Sequence, residues 1–136
     1  IDAQPANPSF DCSRAQTPDE HVICGDSRLA ELDQAVSIAY RQAELKNRSE
    51  ALATARDTLA ARHGCSNDRL CILDQQVNAI SIYADLGSQV PTPPWAGSYR
   101  VDLTQVKYDL ADRVNQLSDR WTTVPTEQRT ALRIEA

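Results

Sequence analysis

The chain has 136 residues and a mass of 15.0 kDa, which is enough for one domain with its own core. Its mean hydropathy is −0.48, and it contains no apolar run long enough to cross a membrane. The net charge of −5 argues against nucleic acid as a partner.

The negative charge is concentrated at the N-terminal end. Residues 1–35 hold seven acids against two bases, whereas the rest of the chain holds twelve of each. An acidic segment of this kind fits a cationic protein as a partner, because complementary fields raise encounter rates. The alternative is a solvated face, since Asp19, Glu20, Asp26 and Glu31 all fall in predicted first helical turns, where acids complement the helix dipole.

Caps and a glycine mark the first two helices. The run Thr17-Pro18-Asp19-Glu20 combines an N-cap, a proline at the first helical position and a capping glutamate, and it predicts a helix to about Cys24. Gly25 breaks this helix, and Asp26-Ser27 offers a cap for the second. The apolar residues of the second helix recur at steps of three and four and predict one buried face: Leu29, Leu32, Val36, Tyr40 and Ala43.

Two further helices follow. Asn47 and Ser49 interrupt the pattern before a third helix, which is predicted to end at His63-Gly64. Asn67-Asp68 can cap a fourth helix that stops at Gly87. The residues predicted to point inward are Leu52, Ala55 and Leu59 in the third helix and Leu70, Leu73, Val77, Ile80 and Ala84 in the fourth. Because the connections are short, helices two to four are predicted to be antiparallel neighbours.

The C-terminal part begins with a proline-rich stretch, residues 88–95, which predicts a linker. Asp102 can cap a fifth helix, and Pro125-Thr126 can open a last one carrying Leu132. The residues of the fifth helix that are predicted to point inward are Leu103, Val106, Leu110, Val114, Leu117 and Trp121. We therefore predict a helical domain over residues 1–87, the linker, and a helical extension over 96–136 that packs on that domain or on a partner.

Strand-type alternation is absent, so the predicted fold class is all-α: a small antiparallel helical bundle stapled by disulfides. The spacings of Cys12, Cys24, Cys65 and Cys71 are not those of zinc sites. Two structural disulfides indicate a periplasmic or secreted protein whose signal peptide has been removed. Local pairing, Cys12 to Cys24 and Cys65 to Cys71, gives the staples a clear role, and the crossed pairings remain open.

Catalytic groups are scarce in the sequence. The histidines are His21, inside the first helix, and His63, at the end of the third, where the helix dipole favours them. A Cys-His nucleophile would need a free thiolate, which four cysteines in an oxidising compartment argue against. Four scattered glycines form no phosphate loop. We therefore predict that the chain is not an enzyme and holds no cofactor or metal.

Several short motifs occur in a defined order: Phe10-Asp11-Cys12, Thr17-Pro18-Asp19-Glu20, Ile23-Cys24, Leu29-Ala30-Glu31-Leu32-Asp33, Tyr40, Arg62-His63-Gly64-Cys65 and Cys71. This order resembles the N-terminal domain of the LprI-type lysozyme-inhibitor family of bacterial envelope proteins, over residues 10–87. The chain departs from the family pattern at residues 57–60, where relatives commonly carry a large aromatic residue, and we expect Leu59 to fill that space. Residues 88–136 do not resemble the β-rich inhibitor domain that some relatives carry.

The resemblance implies an exported or lipid-anchored protein that protects peptidoglycan by binding lysozyme. Many c-type lysozymes are basic and carry two carboxylates in their cleft, so the acidic end would steer the encounter while an inserted loop would need a neutral or basic tip. The candidate partner-binding residues are Asp19, Glu20, Asp26, Lys46, Asn47, Arg48, Ser66 and Asn67. The alternative is an envelope structural or assembly module without inhibitory activity, which binds another protein or forms a homodimer.

Overall fold

The structure is a computed structural model that describes residues 7–122. It confirms the predicted all-α class, since the described chain contains no strand. A short 3-10 turn, Cys12–Arg14, precedes the α-helices. These are α1 (Pro18–Gly25), α2 (Ser27–Lys46), α3 (Arg48–Gly64), α4 (Arg69–Asp85) and α5 (Ala96–Thr122).

The helix caps lie where the sequence indicates. Glu20 accepts a hydrogen bond from the Thr17 backbone N–H at 3.1 Å, and Asp26 accepts from the N–H of Leu29 at 3.2 Å. Asp68, rather than its neighbour Asn67, caps α4. Each carboxylate satisfies backbone donors that a helix start leaves unpaired.

Gly87 stops α4 for a conformational and a steric reason. Its φ is 110°, a backbone region that side chains disfavour, and a Cβ at this position would lie 2.5 Å from Cδ of Lys46. The Asn47 side-chain amide donates to the Leu86 carbonyl at 2.9 Å. The end of α4 is thus held close to the turn between α2 and α3.

Helices α2, α3 and α4 pack against one another, and α1 packs against α2. The largest fully buried apolar side chains are Ile23, Leu29, Leu32, Ile72, Leu73, Ile80 and Tyr83. A cluster of small residues, Ala39, Ala43, Ala51 and Ala79, surrounds Tyr83. Small residues let helix backbones approach closely, so the helices pack into a dense core although the sequence is only modestly hydrophobic.

Helix α3 turns a different face inward than its leucines predict. Leu52 and Leu59 are exposed, and the prediction that they point inward is wrong. The buried residues of α3 are Ala51 and Arg62, which are three helical turns apart and share one face. Two carboxylates from other helices bind Arg62 and fix this orientation.

Helix α4 follows its prediction in part. Leu73 and Ile80 are buried as expected, whereas Ala84 is exposed. The buried face also includes Ile72, Gln76, Ala79 and Tyr83. It is therefore rotated from the leucine pattern towards a polar residue, Gln76.

Both disulfides join cysteines that are neighbours in the sequence, which is the local pairing and not a crossed one. Cys12 bonds to Cys24 with a Cα–Cα distance of 5.9 Å, and Cys65 bonds to Cys71 with a distance of 5.5 Å. The first ties the 3-10 turn to α1, and the second ties the end of α3 to the first turns of α4. The two bonds use all four cysteines of the chain, so no cysteine is left as a free thiol.

Helix α5 begins at Ala96, and the prediction that Asp102 caps it is wrong. The Ala96 N–H donates to the Pro93 carbonyl and the Tyr99 N–H to the Trp95 carbonyl, both at 3.0 Å, so backbone groups close the start of the helix without a side-chain cap. The chain divides into two units, Ile1–Arg100 and Val101–Ala136. The division into residues 1–87, a linker over 88–95 and an extension over 96–136 remains a prediction.

The apolar side chains of α5 are largely exposed. Those of Val106, Leu110, Val114 and Leu117 are more than half exposed, which contradicts the expectation that they point inward. The side chain of Trp121 and the predicted helix opened by Pro125 lie outside the described residues. Among the helices that the structure describes, none combines the length and apolar character of a membrane span.

Candidate functional site

The most polar part of the bundle interior is an ion-pair network centred on Arg62. The Nε of Arg62 donates to Asp19 of α1 at 2.7 Å, and its Nη1 donates to Asp33 of α2 at 3.3 Å. All three side chains are buried. One guanidinium therefore joins α1, α2 and α3, with five donors in a rigid fork that suits two carboxylates.

His63 adds a second donor to Asp19. Its Nδ1 lies 2.9 and 3.0 Å from the two carboxylate oxygens. Burial alone would raise the pKa of Asp19, but hydrogen bonds from His63, Thr17 and Arg62 and the charge of Arg62 outweigh it and lower that pKa. Asp19 is thus an ionised structural acid and lacks the raised pKa expected of a general acid.

The segment before the first disulfide closes over this network. The backbone N–H and the hydroxyl of Ser9 both donate to Asp33 at 2.6 Å. The Phe10 ring lies 5.9 Å from the guanidinium carbon of Arg62, within the range of cation–π attraction. Asp33 therefore binds the N-terminal segment as well as α3.

A cleft opens beside the network, between the N-terminal segment and helices α2, α3 and α4. Its volume is about 320 Å³, at the lower end of small-molecule sites. Much of its wall is apolar and aromatic, formed by Phe10, Val36, Tyr40, Leu59, Ala79 and Tyr83. Leu59 lines this cleft and is 46% exposed, and its place as a substitute for the family's aromatic residue remains a prediction.

Tyr40 and Tyr83 shape one side of the cleft. Their rings meet edge to face with centroids 5.9 Å apart, a favourable aromatic geometry. The hydroxyl of Tyr40 donates to Glu44 at 2.9 Å, and this hydrogen bond raises the pKa of Tyr40. Burial is the main cause that raises the pKa of Tyr83. Both rings are thus neutral walls at physiological pH.

Gln76 is the unusual residue of the cleft. It lines the wall and is only 3% exposed, and neither Nε2 nor Oε1 of its amide has a hydrogen-bond partner among the described residues. A buried polar group without a partner is costly and calls for an explanation. The sequence pattern did not identify Gln76, because a polar residue at a core position is visible only after helix α4 is packed.

A second polar cluster joins α2, α4 and the start of α5 around Asp26. Besides capping α2, Asp26 pairs with Arg69 at 3.0 Å and accepts a hydrogen bond from the Tyr99 hydroxyl. Burial and Asp26 raise the pKa of Tyr99. Trp95 donates to Glu31 at 2.6 Å. These contacts belong to the first unit and fasten residues 95–100 to the bundle.

The predicted partner-binding residues fall at opposite ends of α2. Asp19, Glu20, Asp26, Ser66 and Asn67 lie at the end where α1 and the corner between α3 and α4 meet, and Lys46, Asn47 and Arg48 lie at the other end. Helix α2 has 20 residues, which corresponds to a length of about 30 Å. Partner binding by these residues remains a prediction, in which the buried Asp19 and Asp26 would act through the fold that they stabilise.

Three curated proteins are similar to this chain, and all carry the name Lipoprotein LprI. They come from Mycobacterium bovis and two strains of Mycobacterium tuberculosis, and each is 31% identical over 93 residues, covering 65% of this chain and 47% of the relative. The chain thus spans about half the length of the curated relatives it matches. No family model matches the chain, and no solved structure matches it. Over these 93 residues the chain is similar to mycobacterial LprI lipoproteins.

Proposed function

We propose that this chain is a member of the LprI-type family and a bacterial extracytoplasmic binding protein that protects peptidoglycan by occupying lysozyme. The observation that carries the proposal is the similarity to LprI lipoproteins over 93 residues, together with the motif order that resembles the inhibitor family. The two disulfides support an oxidising location.

The fold changes the interpretation of the acidic segment. Asp19, Asp26 and Asp33 are buried and paired with Arg62 and Arg69, so bases from later in the chain neutralise much of that charge. The acids of the first 35 residues that remain exposed among the described residues include Asp11 and Glu31. Steering of a basic lysozyme therefore depends on fewer groups than the sequence indicates.

The turn between α2 and α3 is the better candidate for insertion into a lysozyme cleft. Lys46 and Arg48 are exposed and form no ion pair within the described part of the chain. The other candidate loop lies between α3 and α4 and carries Ser66 and Asn67. There the following residues are already engaged, since Arg69 pairs with Asp26 and Asp68 caps α4. A basic tip complements the paired carboxylates of a glycosidase cleft, so we place the lysozyme contact at residues 46–48.

A turbidity assay of cell-wall lysis tests this function with c-type, g-type and i-type lysozymes at equimolar protein. We expect inhibition of at least one class, which is lost after reduction and alkylation. The double variant Lys46→Glu/Arg48→Glu should lose inhibition, whereas Arg56→Glu, an exposed charge reversal within α3, should keep it. Absence of inhibition in all three classes would contradict the proposal and favour an assembly module.

One observation favours that second function. Val106, Leu110, Val114 and Leu117 of α5 are exposed and share one helical face, and such an apolar stripe is typical of helices that bind a partner. An envelope assembly module, including a homodimer, would cover this stripe. Sedimentation equilibrium of the chain and of a Leu110→Asp/Leu117→Asp variant tests it: a dimer dissociated by the substitutions supports assembly, and a monomer in both cases opposes self-association.

A further inference from the structure

The cleft beside Arg62 has the features of a ligand site. It opens between three helices and the N-terminal segment, and one of its wall residues is a nearly fully buried glutamine whose amide is unpartnered among the described residues. Ordinary core packing does not account for this side chain, because an apolar residue of similar size at position 76 would avoid the cost of burying two polar atoms.

We propose that this cleft binds a neutral peptide-like ligand, in which an amide group pairs with the Gln76 carboxamide and an adjacent apolar side chain lies against Tyr40 and Phe10. The Gln76 amide offers one donor group and one acceptor in a plane. Another amide offers the same pair in reverse, so a single ligand group can satisfy both unpartnered atoms once the Gln76 side chain turns into the cleft, since both atoms are buried in the unliganded chain.

The charged residues of the wall favour a neutral ligand. Arg62 is shared between Asp19 and Asp33, and Asp33 also accepts from Ser9. Glu20 accepts from the backbone N–H groups of Gln16 and Thr17. Because each of these charges already has partners, a ligand carboxylate would find no free cation among the described wall residues and would face two carboxylates there.

The remaining wall sets the size and polarity of the ligand. A volume of about 320 Å³ fits roughly one or two amino-acid residues at the lower end of ligand sites. The aromatic and aliphatic wall suits an apolar side chain. A sugar would bring several hydroxyls into a cleft whose identified unmet hydrogen-bonding capacity is the amide of Gln76, so the peptide-like ligand fits better. This site is independent of lysozyme binding at residues 46–48.

The test is an NMR titration of the full, oxidised chain with N-acetyl-L-leucinamide as the probe. We expect saturable shifts of the Gln76 side-chain amide signals, identified by their loss in Gln76→Leu, and of the backbone signals of Thr58 and Leu59. An affinity of about millimolar is expected for so small a probe. N-acetyl-L-leucine, which carries a carboxylate, and N-acetylglucosamine, which carries the amide on a sugar, should both bind more weakly.

Two variants and a matched control complete the test. Gln76→Leu removes the amide. Ser37 is a partly exposed residue of the cleft wall, and Ser37→Phe places a large ring in the cleft. Each variant should weaken probe binding by about tenfold or more. Gln105→Leu makes the same chemical change on exposed α5 and should leave binding unchanged. Circular dichroism and thermal melting establish that each variant folds. Gln76→Leu should melt no lower than the parent, because it removes unpartnered buried atoms.

Three results would overturn the proposal. The first is the absence of saturable shifts with N-acetyl-L-leucinamide, in which case solvent occupies the cleft. The second is unchanged probe affinity in Gln76→Leu. The third is tighter binding of N-acetylglucosamine than of the leucinamide, which would assign the cleft to a carbohydrate. None of these results depends on whether the chain inhibits a lysozyme.

Discussion

The four helices of the bundle and helix α5 show opposite relations between sequence pattern and packing. Helix α3 has exposed leucines and buries Ala51 and Arg62, yet two carboxylates and a disulfide fix it in the bundle. From Val101 onward, α5 carries a regular series of large apolar residues, and Val106, Leu110, Val114 and Leu117 are exposed.

The difference shows what amphipathic periodicity does and does not determine. A repeat of three and four residues predicts a helix in both regions, and both are helical. Burial requires a partner surface, which the bundle supplies through ion pairs, alanine contacts and two disulfides. The spacing of large apolar residues alone would therefore favour α5 over α3 as a core helix, contrary to the observed burial.

The largest expected effect is at the centre of the bundle. Arg62→Ala leaves Asp19 and Asp33 buried without their shared cation, which should lower the free energy of unfolding by about 3–5 kcal/mol. Urea unfolding followed by circular dichroism measures the change. The matched control, Arg56→Ala on the exposed side of α3, should stay within about 0.5 kcal/mol of the parent.

Acid unfolding separates the charge network from simple loss of side-chain volume. The pKa of Asp19 is lowered in the folded chain, so its carboxylate stabilises the fold above its ordinary pKa and loses this effect as the pH falls through the lowered value. Arg62→Ala removes one cause of that lowering. We expect a shallower loss of stability below pH 3.8 in the variant, and an identical pH profile would contradict the assigned network.

A pair of leucines compares the two regions directly. Leu32→Ala creates a cavity in the bundle and should cost about 2–5 kcal/mol. Leu110→Ala removes the same atoms from the exposed face of α5 and should change the unfolding free energy by less than about 0.5 kcal/mol. Equal losses, measured in dilute protein by urea unfolding, would mean that α5 is buried in solution.

The disulfides should contribute unequally. Replacing Cys12 and Cys24 by serine opens a loop with a sequence separation of 12 and should cost about 3 kcal/mol by the loop-entropy model. The Cys65 and Cys71 pair, with a separation of 6, should contribute about 2 kcal/mol. Thermal unfolding of the two double variants gives the order, and a reversed order would indicate that strain or residual structure dominates over loop length.

The smallest effect is expected where the end of α4 meets Lys46. Gly87→Ala forces a side chain into a positive φ and against Lys46, which should cost about 1–2 kcal/mol. Gly97→Ala in the first turn of α5 meets no neighbouring atom and should leave stability unchanged or slightly raised. Denaturant midpoints of the two variants measure the contrast.

Local sequence signals predicted much of the bundle. The capping residues Glu20, Asp26 and Asp68 and the stop at Gly87 depend on neighbours within a few residues, and these predictions were confirmed. The local disulfide pairing, which gave the staples a clear role and left the crossed pairings open, was also confirmed.

The features that sequence reasoning missed depend on distant partners. Arg62 is buried because Asp19 and Asp33 lie 43 and 29 residues away in the sequence, and its charge hides it from a hydrophobic pattern. Gln76 and the cleft emerge only when three helices and the N-terminal segment come together. The start of α5 was placed too late because backbone groups near Pro93 and Trp95 replace the side-chain cap that the prediction relied on.

The central claim, that this chain binds lysozyme, is tested most directly by calorimetric titration of the oxidised chain into a basic c-type lysozyme at low and at high ionic strength. The account predicts saturable binding that weakens as salt screens the attraction between the two proteins, and that is lost in Lys46→Glu/Arg48→Glu but kept in Arg56→Glu. The absence of saturable binding at both ionic strengths, with g-type and i-type lysozymes giving the same result, would contradict it.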